Sequence, residues 1–262
     1  MIGVFAGSGE LPKEIFSSLN FRKKKFIILN LSNKNYKNSI KIKLGKFGKI
    51  IKILKKNKVK EVIFAGQVKR PSLQDMNLDL KAISYLPKLI SAFKKGDGNI
   101  LNLAKKILKD NNINVIESHK YTKNLLLNKL VTKSKPSKID LKDFLKGKKI
   151  LKALSKFDNA QGVIIDDGYI LAIEAAEGTD EMLKRSIKIK LNKRKLSGVL
   201  IKLPKEKQNL NYDLPTIGYN TIKLCIKLKL RGVFLKKNKN IFLNQKKSIS
   251  LANKNNFFIS PM

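Results

Sequence analysis

The stretch Ile2-Gly3-Val4-Phe5-Ala6-Gly7-Ser8-Gly9-Glu10-Leu11-Pro12, near the start of the chain, decides the fold class. Its apolar run from Ile2 to Phe5 predicts a short buried strand. Apolar residues then recur at helical spacing from about Leu11 to Leu19 and predict an amphipathic helix. Because a glycine-rich turn joins the two, the segment is a strand, turn and helix unit, which is how a sheet of parallel strands begins.

The rest of the first half repeats this alternation of strands and helices. Further strands are predicted at Phe26–Leu29, Ile40–Leu44, Glu61–Phe64 and Asn114–Ile116. Helices are predicted at Lys46–Lys56, Leu80–Phe93 and Asn99–Lys109. Strands that alternate with helices imply a three-layer α/β fold, with a Rossmann-like parallel sheet and helices on both of its faces.

A polar segment in the middle of the chain indicates a second domain. The residues from Thr132 to Ser137 predict a linker, so we expect an N-terminal domain at 1–131, a linker at 132–138 and a C-terminal domain at 139–262. In the second domain, helices are predicted at Ile139–Lys156, Thr179–Ile187 and Ile217–Leu228. Strands are predicted at Gly162–Ile165, Tyr169–Ile173, Gly198–Leu203, Gly232–Leu235, Ile241–Leu243 and Asn256–Ile259. This pattern is typical of a mixed α/β domain.

The formal net charge of +38, from 57 basic and 19 acidic residues, raises the hypothesis of a nucleic-acid-binding protein. Only five basic residues are arginine and tryptophan is absent, whereas nucleic-acid sites favour arginine forks and stacking aromatic rings. The lysines are scattered among abundant isoleucine and asparagine, so compositional drift is the favoured interpretation. A basic surface would still favour peripheral contact with anionic membrane lipid.

Apolar segments and cysteine usage indicate the cytoplasm. The chain contains no apolar run of about 18 residues, the length needed to span a membrane, and its first residues lack the features of a signal peptide. The single cysteine, Cys225, cannot form an internal disulfide, and a reducing compartment is the simplest setting for it. We therefore expect a cytoplasmic protein, whose basic surface would favour peripheral contact with anionic membrane lipid.

Six of the 19 acidic residues lie within the 16 positions from Asp166 to Glu181. Like charges placed so close together are tolerated when a cation or basic side chains neutralise them. Glu174, Glu177 and Asp180 stand three residues apart, at the end of a predicted strand and in the first turn of a predicted helix. They are candidate metal ligands, although acids at a helix N-terminus are also favoured by the helix dipole alone.

Asp213 is a further candidate carboxylate, in the segment Asp213-Leu214-Pro215-Thr216-Ile217-Gly218. Pro215 keeps Leu214 out of the helical region and so holds Asp213 rigidly just before a predicted helix. A rigid carboxylate can bind Mg²⁺ or orient an attacking water. The alternative is that Asp213 is a structural cap that lies shortly before the start of the helix.

Two loops that follow predicted strands are candidates for phosphate contact. The turn Gly7-Ser8-Gly9 opens a helix and can present backbone N–H groups to a phosphate. A dinucleotide site is excluded, because Pro12 and Asn30 stand where its fingerprint needs a small residue and an acid. Lys69 and Arg70 follow another strand and could neutralise phosphate, the arginine in a bidentate manner.

With these segments in view, the chain resembles the LpxI-type UDP-2,3-diacylglucosamine pyrophosphatases of lipid A biosynthesis. The resemblance runs nearly end to end and is carried by Ala6-Gly7-Ser8-Gly9-Glu10-Leu11-Pro12, Ala65-Gly66-Gln67-Val68-Lys69-Arg70-Pro71, Glu174-Ala175-Ala176-Glu177-Gly178-Thr179-Asp180 and Asp213-Leu214-Pro215-Thr216-Ile217-Gly218. It implies two α/β domains with the lipid product in a cleft between them, and a homodimer. It also implies Mg²⁺-dependent hydrolysis that yields UMP and 2,3-diacylglucosamine 1-phosphate (lipid X).

The resemblance further implies that Asp213 is essential to catalysis, and we assign Thr179 and Thr216 of the same motifs to substrate or phosphate contact. The chain departs from the family pattern at Asn209 and Asn211, where family members often carry charged residues. Two alternatives to a hydrolase stay open. One is a non-catalytic basic protein that binds nucleotide or nucleic acid, and the other is a nucleotide-sugar enzyme that transfers rather than hydrolyses.

Overall fold

The structure is a computed structural model that describes residues 1–68, 72, 76–157, 159–190, 196–206 and 214–262. The chain divides into two compact units, the first formed by Met1–Lys123 and the second by the described residues from Asn124 onward. Residues 132–138, which the sequence suggests as a linker, fall within the range of the second unit. There Ser137 caps a helix and forms a reciprocal capping box with Asp140.

The described part of the first unit contains a five-stranded parallel sheet. Its strands are β1 (Ile2–Ala6), β2 (Phe26–Asn30), β3 (Ser39–Lys41), β4 (Glu61–Ala65) and β5 (Asn114–Val115). They are ordered β3-β2-β1-β4-β5, and each neighbouring pair is parallel. This confirms the predicted Rossmann-like sheet, and the strand order reverses between β1 and β4, where such folds place their ligands.

Helices cover both faces of this sheet, as predicted. They are α1 (Leu11–Phe21), α2 (Phe47–Lys56), α3 (Leu80–Ile83), α4 (Leu86–Lys95) and α5 (Asp97–Lys109). Right-handed crossovers place α1 on one face and α2 and α5 on the other. Phe5 and Val62 pack against residues of α2 and α5 in one apolar cluster. Val4 and Ile63 point to the opposite face and are fully buried, as is Ile15 of α1.

The second unit is a mixed α/β domain, as predicted, and its main sheet contains both parallel and antiparallel strand pairs. In the described residues its strands are β6 (Gly162–Asp166), β7 (Tyr169–Ile173), β8 (Val199–Lys202), β9 (Thr216–Ile217), β10 (Gly232–Leu235), β11 (Ile241–Phe242) and β12 (Phe258–Pro261). Its helices are α6 (Lys138–Ser155), α7 (Thr179–Ile189), α8 (Tyr219–Lys227) and α9 (Gln245–Lys254). The main sheet has the order β12-β10-β8-β6-β7, and β9 and β11 form a separate parallel pair.

Two apolar clusters hold the second unit together, one on each face of its sheet. On one face, Phe144 and Leu151 of α6 pack with Phe234 and with strand residues from β6 and β8. On the other face, Met182 of α7 and Ile222 of α8 pack in a cluster that also includes α9. The sheet is therefore covered on both faces, and polar groups that contact solvent or ligand lie at the ends of its strands.

The structure differs from the sequence expectations at three elements. The helix predicted at Leu80–Phe93 is split into α3 and α4, because Pro87 has no N–H to donate to the carbonyl of Ile83. The helix predicted from Ile217 begins at Tyr219, since Ile217 belongs to β9. Helix α9 was not predicted, because its buried residues are Ser248 and Ala252 and give little apolar periodicity.

Among the helices that the structure describes, none is long and apolar enough to cross a membrane.

Candidate active site

Parallel strand ends bring the candidate residues of the second unit to one edge of its sheet. Strand β6 is antiparallel to both of its neighbours, so β7 and β8 run in the same direction. Strand β7 ends immediately before Glu174, and Lys202 is the last residue of β8. Open α/β sheets bind their ligands beyond the carboxyl ends of their strands, so this edge is the candidate site.

Glu174, Thr179 and Lys202 form a buried polar network at this edge. Lys202 is 4% exposed and Glu174 is 9% exposed. The Thr179 hydroxyl donates to Glu174 Oε2 at 3.0 Å, and the Lys202 ammonium lies 3.4 Å from the same oxygen and donates to Thr179 Oγ1. An ammonium carries three N–H donors, and these are its two partners in the described part of the chain.

Neighbouring residues fix the position of this network. The fully buried Asn240 donates from Nδ2 to the Lys202 carbonyl at 3.3 Å and accepts from the backbone N–H of Lys236 at 2.8 Å. Gly162 lies against Glu174, where a Cβ atom would come within 2.5 Å of Glu174 Oε2. The Glu174 carboxylate is thus held by its surroundings before any ligand arrives, as preorganised polar sites require.

Glu177 is paired with Arg185 of α7. The guanidinium donates from Nη2 at 2.9 Å and from Nε at 3.1 Å to Glu177 Oε1. The same Nη2 donates to the Ile173 carbonyl at 2.7 Å. The backbone N–H of Glu177 itself lowers the pKa of its carboxyl, and Arg185 adds to that effect. Glu177 is therefore neutralised locally and ties the loop after β7 to α7.

Asp180 joins the two acidic motifs. It lies in the first turn of α7, and its Oδ1 and Oδ2 accept from Thr221 Oγ1 at 2.7 Å and from Asn220 Nδ2 at 2.6 Å. Both donors lie in the first turn of α8, the helix that follows the Asp213 motif. The N-termini of two helices therefore meet at one carboxylate, which their dipoles favour.

Burial, with a smaller contribution from Asp180, raises the pKa of the Cys225 thiol in α8, so this thiol is a packing residue.

The three carboxylates predicted as metal ligands have separate partners. Glu174 is bonded to Lys202, Glu177 to Arg185, and Asp180 to neutral donors. Within the described residues there is no group of three or more histidine, cysteine, aspartate or glutamate side chains arranged to hold a metal ion. These three carboxylates do not fit a shared Mg²⁺ site. Asp180 accepts hydrogen bonds from neutral donors and also interacts electrostatically with Lys184 of α7.

The Asp213 motif is described from Leu214 onward, and Asp213 lies outside the described residues. Leu214 is buried, and Thr216 belongs to β9, which pairs with Ile241 of β11. The Thr216 hydroxyl donates to the Leu214 carbonyl at 3.1 Å. The chain just after Asp213 is thus anchored, while the roles assigned to Asp213 and Thr216 stay predictions.

In the first unit, the loops after β1 and β4 are bonded to each other. The Gly7 N–H donates to the Ala65 carbonyl at 2.8 Å. The Ser8 N–H and hydroxyl donate to the Gln67 carbonyl at 2.7 and 2.9 Å, and the Gln67 N–H donates to the Ser8 carbonyl at 2.9 Å. Donors that the sequence assigned to phosphate at Gly7 and Ser8 are therefore used within the protein. Phosphate contact by the Gly7-Ser8-Gly9 turn stays a prediction.

Close approach of these loops explains two of their glycines. A Cβ atom on Gly7 would lie 2.4 Å from the Gln67 carbonyl oxygen, and one on Gly66 would lie 2.3 Å from the Ser8 carbonyl oxygen. Gly66 also has a φ of +82°, which disfavours other residues. Lys69 and Arg70 lie outside the described residues, so their assignment to phosphate also stays a prediction.

Comparison with known proteins agrees with the motifs in both units. The LpxI N-terminal domain model matches residues 1–125, and the LpxI C-terminal domain model matches residues 128–260. The chain is 31% identical over 245 residues to UDP-2,3-diacylglucosamine pyrophosphatase LpxI of Caulobacter vibrioides. The matched region covers 88% of this chain and 86% of the Caulobacter protein.

The chain belongs to the LpxI family.

Lys202 is the residue of this LpxI-family site that sequence reasoning missed. It stands inside the apolar run Val199-Leu200-Ile201-Lys202-Leu203, where a charged side chain is out of place. That interruption is the available signal, but a chain with 57 basic residues conceals it. Its pairing with Glu174, 28 positions earlier, depends on the sheet and is not visible locally.

Proposed function

We propose that this LpxI-family chain hydrolyses the pyrophosphate of UDP-2,3-diacylglucosamine to UMP and 2,3-diacylglucosamine 1-phosphate (lipid X), with Mg²⁺. The observation that carries the proposal is family membership over both halves of the chain, together with the activity for which the Caulobacter relative is named. It favours a hydrolase over the second candidate, a basic nucleotide- or nucleic-acid-binding protein.

Hydrolysis adds water to a phosphorus atom that is surrounded by negatively charged oxygens. One P–O bond of the anhydride breaks, the attacking water loses a proton, and both products leave as phosphate monoesters. Fixed positive charge beside the transferred phosphoryl group is the main requirement. In the second unit, the Lys202 ammonium and the N-termini of α7 and α8 supply positive potential at the carboxyl edge of the sheet.

Lys202 is the described residue that we assign to a phosphate oxygen. Glu174 and Thr179 hold its ammonium in place, and its third N–H donor would bind the substrate. Thr179 keeps its assignment to substrate contact, since its hydroxyl lies between the lysine and the start of α7. Asp213 is assigned to orient and deprotonate the attacking water or to hold the metal.

Mg²⁺ is proposed from the family resemblance and from the chemistry of the pyrophosphate. Mg²⁺ in phosphoryl-transfer enzymes is bound by one or two carboxylates and by oxygens of the substrate, so a cage of three acids is not required. When bound, it would neutralise charge on the pyrophosphate. We assign its protein ligands to Asp213 and Asp180, since Glu174 and Glu177 are balanced by basic side chains.

A homodimer in the cytoplasm, in peripheral contact with inner-membrane lipid, completes the proposal. The resemblance supports the dimer, and the lone buried Cys225 supports a reducing compartment.

The test is to incubate the purified full-length chain with UDP-2,3-diacylglucosamine in detergent and Mg²⁺, and to measure UMP by chromatography. We expect equimolar UMP and diacylglucosamine 1-phosphate, and no release after chelation of the metal. Release of UMP only in the presence of an added acceptor would identify a transferase instead. Absence of both products with Mg²⁺ present would refute the proposed reaction.

A further inference from the structure

An exposed apolar row runs along α3 and α4 of the first unit. Leu80 is 87% exposed, Ile83 is 49% exposed and Ile90 is 40% exposed, and Pro87 is exposed between the last two. These residues follow one another at intervals of three, four and three positions. Within α3 the spacing places Leu80 and Ile83 on one side, and within α4 it places Pro87 and Ile90 on one side. The row therefore consists of two exposed apolar pairs on consecutive helices.

The opposite side of the same segment already supplies its packing. Ala82 is fully buried, Leu89 is 2% exposed and Ala92 is 6% exposed. Leu89 and Ala92 join Leu103 and Ile107 of α5 in an apolar cluster. The exposed row is thus not needed for the core of the first unit, and a chain rich in lysine has placed leucine and isoleucine where solvated residues are expected.

The row lies between Asp79, which caps α3, and Asp97 at the start of α5, and the charge between these two acids is basic. Residues 80–96 contain four lysines and no aspartate or glutamate. Lys88 and Lys94 are exposed, and Lys88 also lines a groove between α4 and α5 with Ala92, Leu103 and Lys106. Apolar side chains bordered by lysines complement a surface that combines hydrocarbon with negative charge.

We propose that this surface, formed by Leu80, Ile83, Pro87 and Ile90 with Lys88 and Lys94, docks the protein on a bilayer that contains anionic lipid. The apolar side chains enter the boundary between headgroups and acyl chains, and the lysines bind lipid phosphates. A second copy of the chain fits less well, because it would place like charges against each other. The inference rests on the proposed function in one respect, that a diacylated substrate lies in a bilayer.

The test compares vesicle binding of three forms of the full-length chain. Vesicles of equal parts phosphatidylglycerol and phosphatidylcholine are compared with pure phosphatidylcholine by co-sedimentation, at about 0.15 M salt to screen diffuse charge. The test variant is Leu80→Ser with Ile83→Ser and Ile90→Ser. The control is Phe21→Ser, which removes an apolar side chain that is 89% exposed at the end of α1 beside Lys24 and Lys25.

We expect wild type to bind the anionic vesicles and the triple variant to bind at least about tenfold more weakly, since each inserted apolar side chain contributes to partitioning. Phe21→Ser should bind as wild type does. Lys88→Gln with Lys94→Gln should weaken binding more than Lys24→Gln with Lys25→Gln.

Equal binding by wild type and the triple variant would overturn the proposal. So would an equal loss in Phe21→Ser, or a change in the oligomeric state of the triple variant, which would identify a contact between copies. The triple variant should hydrolyse detergent-dispersed substrate at the wild-type rate. An inactive wild type would therefore count against the proposed function, while the vesicle result would still decide the docking surface.

Discussion

Replacing Lys202 by methionine tests the buried network at the candidate active site. The change keeps most of the apolar stem and removes an ammonium that is 5% exposed and paired with Glu174 at 3.4 Å. Glu174 is then left as a buried carboxylate whose described side-chain partner is the hydroxyl of Thr179. Breaking a buried ion pair by removing one partner costs about 3–5 kcal/mol. The melting temperature should fall by roughly 10 °C for a chain of this size.

Activity should fall beyond what the loss of stability explains. If the third donor of Lys202 binds a phosphate oxygen, its removal should lower kcat by about 100-fold, as for other lost donors to transition-state charge. Lys202→Met with Glu174→Gln should recover much of the stability, because no unpaired charge remains, and should stay inactive. Lys202→Arg should restore the positive charge but not the hydrogen-bond geometry of the ammonium.

Lys190 provides the matched control. It is a second buried lysine of the same unit, 2% exposed, and it donates to the carbonyls of Ser197 at 2.8 Å and Lys229 at 3.0 Å. Lys190→Met should destabilise the chain while leaving kcat per folded molecule near that of wild type. Stability is measured by thermal unfolding and activity by UMP release well below the melting temperature. Our reasoning is refuted if Lys202→Met keeps normal kcat, or if both lysine variants lose activity equally.

Three further predictions concern packing, pH and catalysis. Gly66→Ala should destabilise the first unit by about 3 kcal/mol, because it combines a positive φ with a Cβ 2.3 Å from the Ser8 carbonyl oxygen. Gly9→Ala is the control: its φ is +99° but the space around its Cβ is open, so it should cost about 1 kcal/mol. Equal losses of unfolding free energy in denaturant would contradict this difference. Burial, with the charges of Asp167, Asp140 and Asp166, raises the pKa of Asp143, whose Oδ2 has no hydrogen-bond partner among the described residues. The stability contributed by protonated Asp143 is therefore present below the unfolded value of 3.8 and is lost as pH rises through the folded pKa. Asp143→Asn should raise the free energy of unfolding by about 1 kcal/mol at pH 7 and by less in acid, and an equal change at both pH values would contradict this. Asp213→Asn should keep the fold and lower turnover by at least about 100-fold, and normal Mg²⁺-dependent turnover would make Asp213 a structural residue. Asp180→Asn should raise the Mg²⁺ concentration needed for activity more than Glu177→Gln does.

Local patterns in the sequence were sufficient for most of the fold. The apolar runs at Ile2–Phe5, Phe26–Leu29 and Glu61–Phe64 became the central strands of the first sheet. A buried parallel strand reads as a continuous apolar run, so no long-range information was needed to find it. Helix α9 was missed because it packs through Ser248 and Ala252, which carry almost no periodic signal.

The partners of the site residues could not be predicted from the sequence. The acids of the Glu174–Asp180 motif were found because acidic residues are scarce in this chain, but their pairing was not. Lys202 and Thr221 reach them across 28 and 41 positions, through the order of the strands and the packing of α7 on α8. In a lysine-rich sequence no single lysine stands out, so the cation that binds Glu174 became visible only in the folded chain.

The distribution of charge at the site explains how an acidic motif serves a substrate that is itself negative. Glu174 and Glu177 are each balanced by a basic side chain, so they shape the site without repelling phosphate. Asp180 accepts hydrogen bonds from two neutral donors in the first turn of α8. Under the proposed function, Asp180 and Asp213 are the carboxylates assigned to Mg²⁺, and one divalent cation would neutralise both. We therefore expect substitution of Asp180 or Asp213 to change the Mg²⁺ dependence of the proposed reaction more than substitution of Glu174 or Glu177 does.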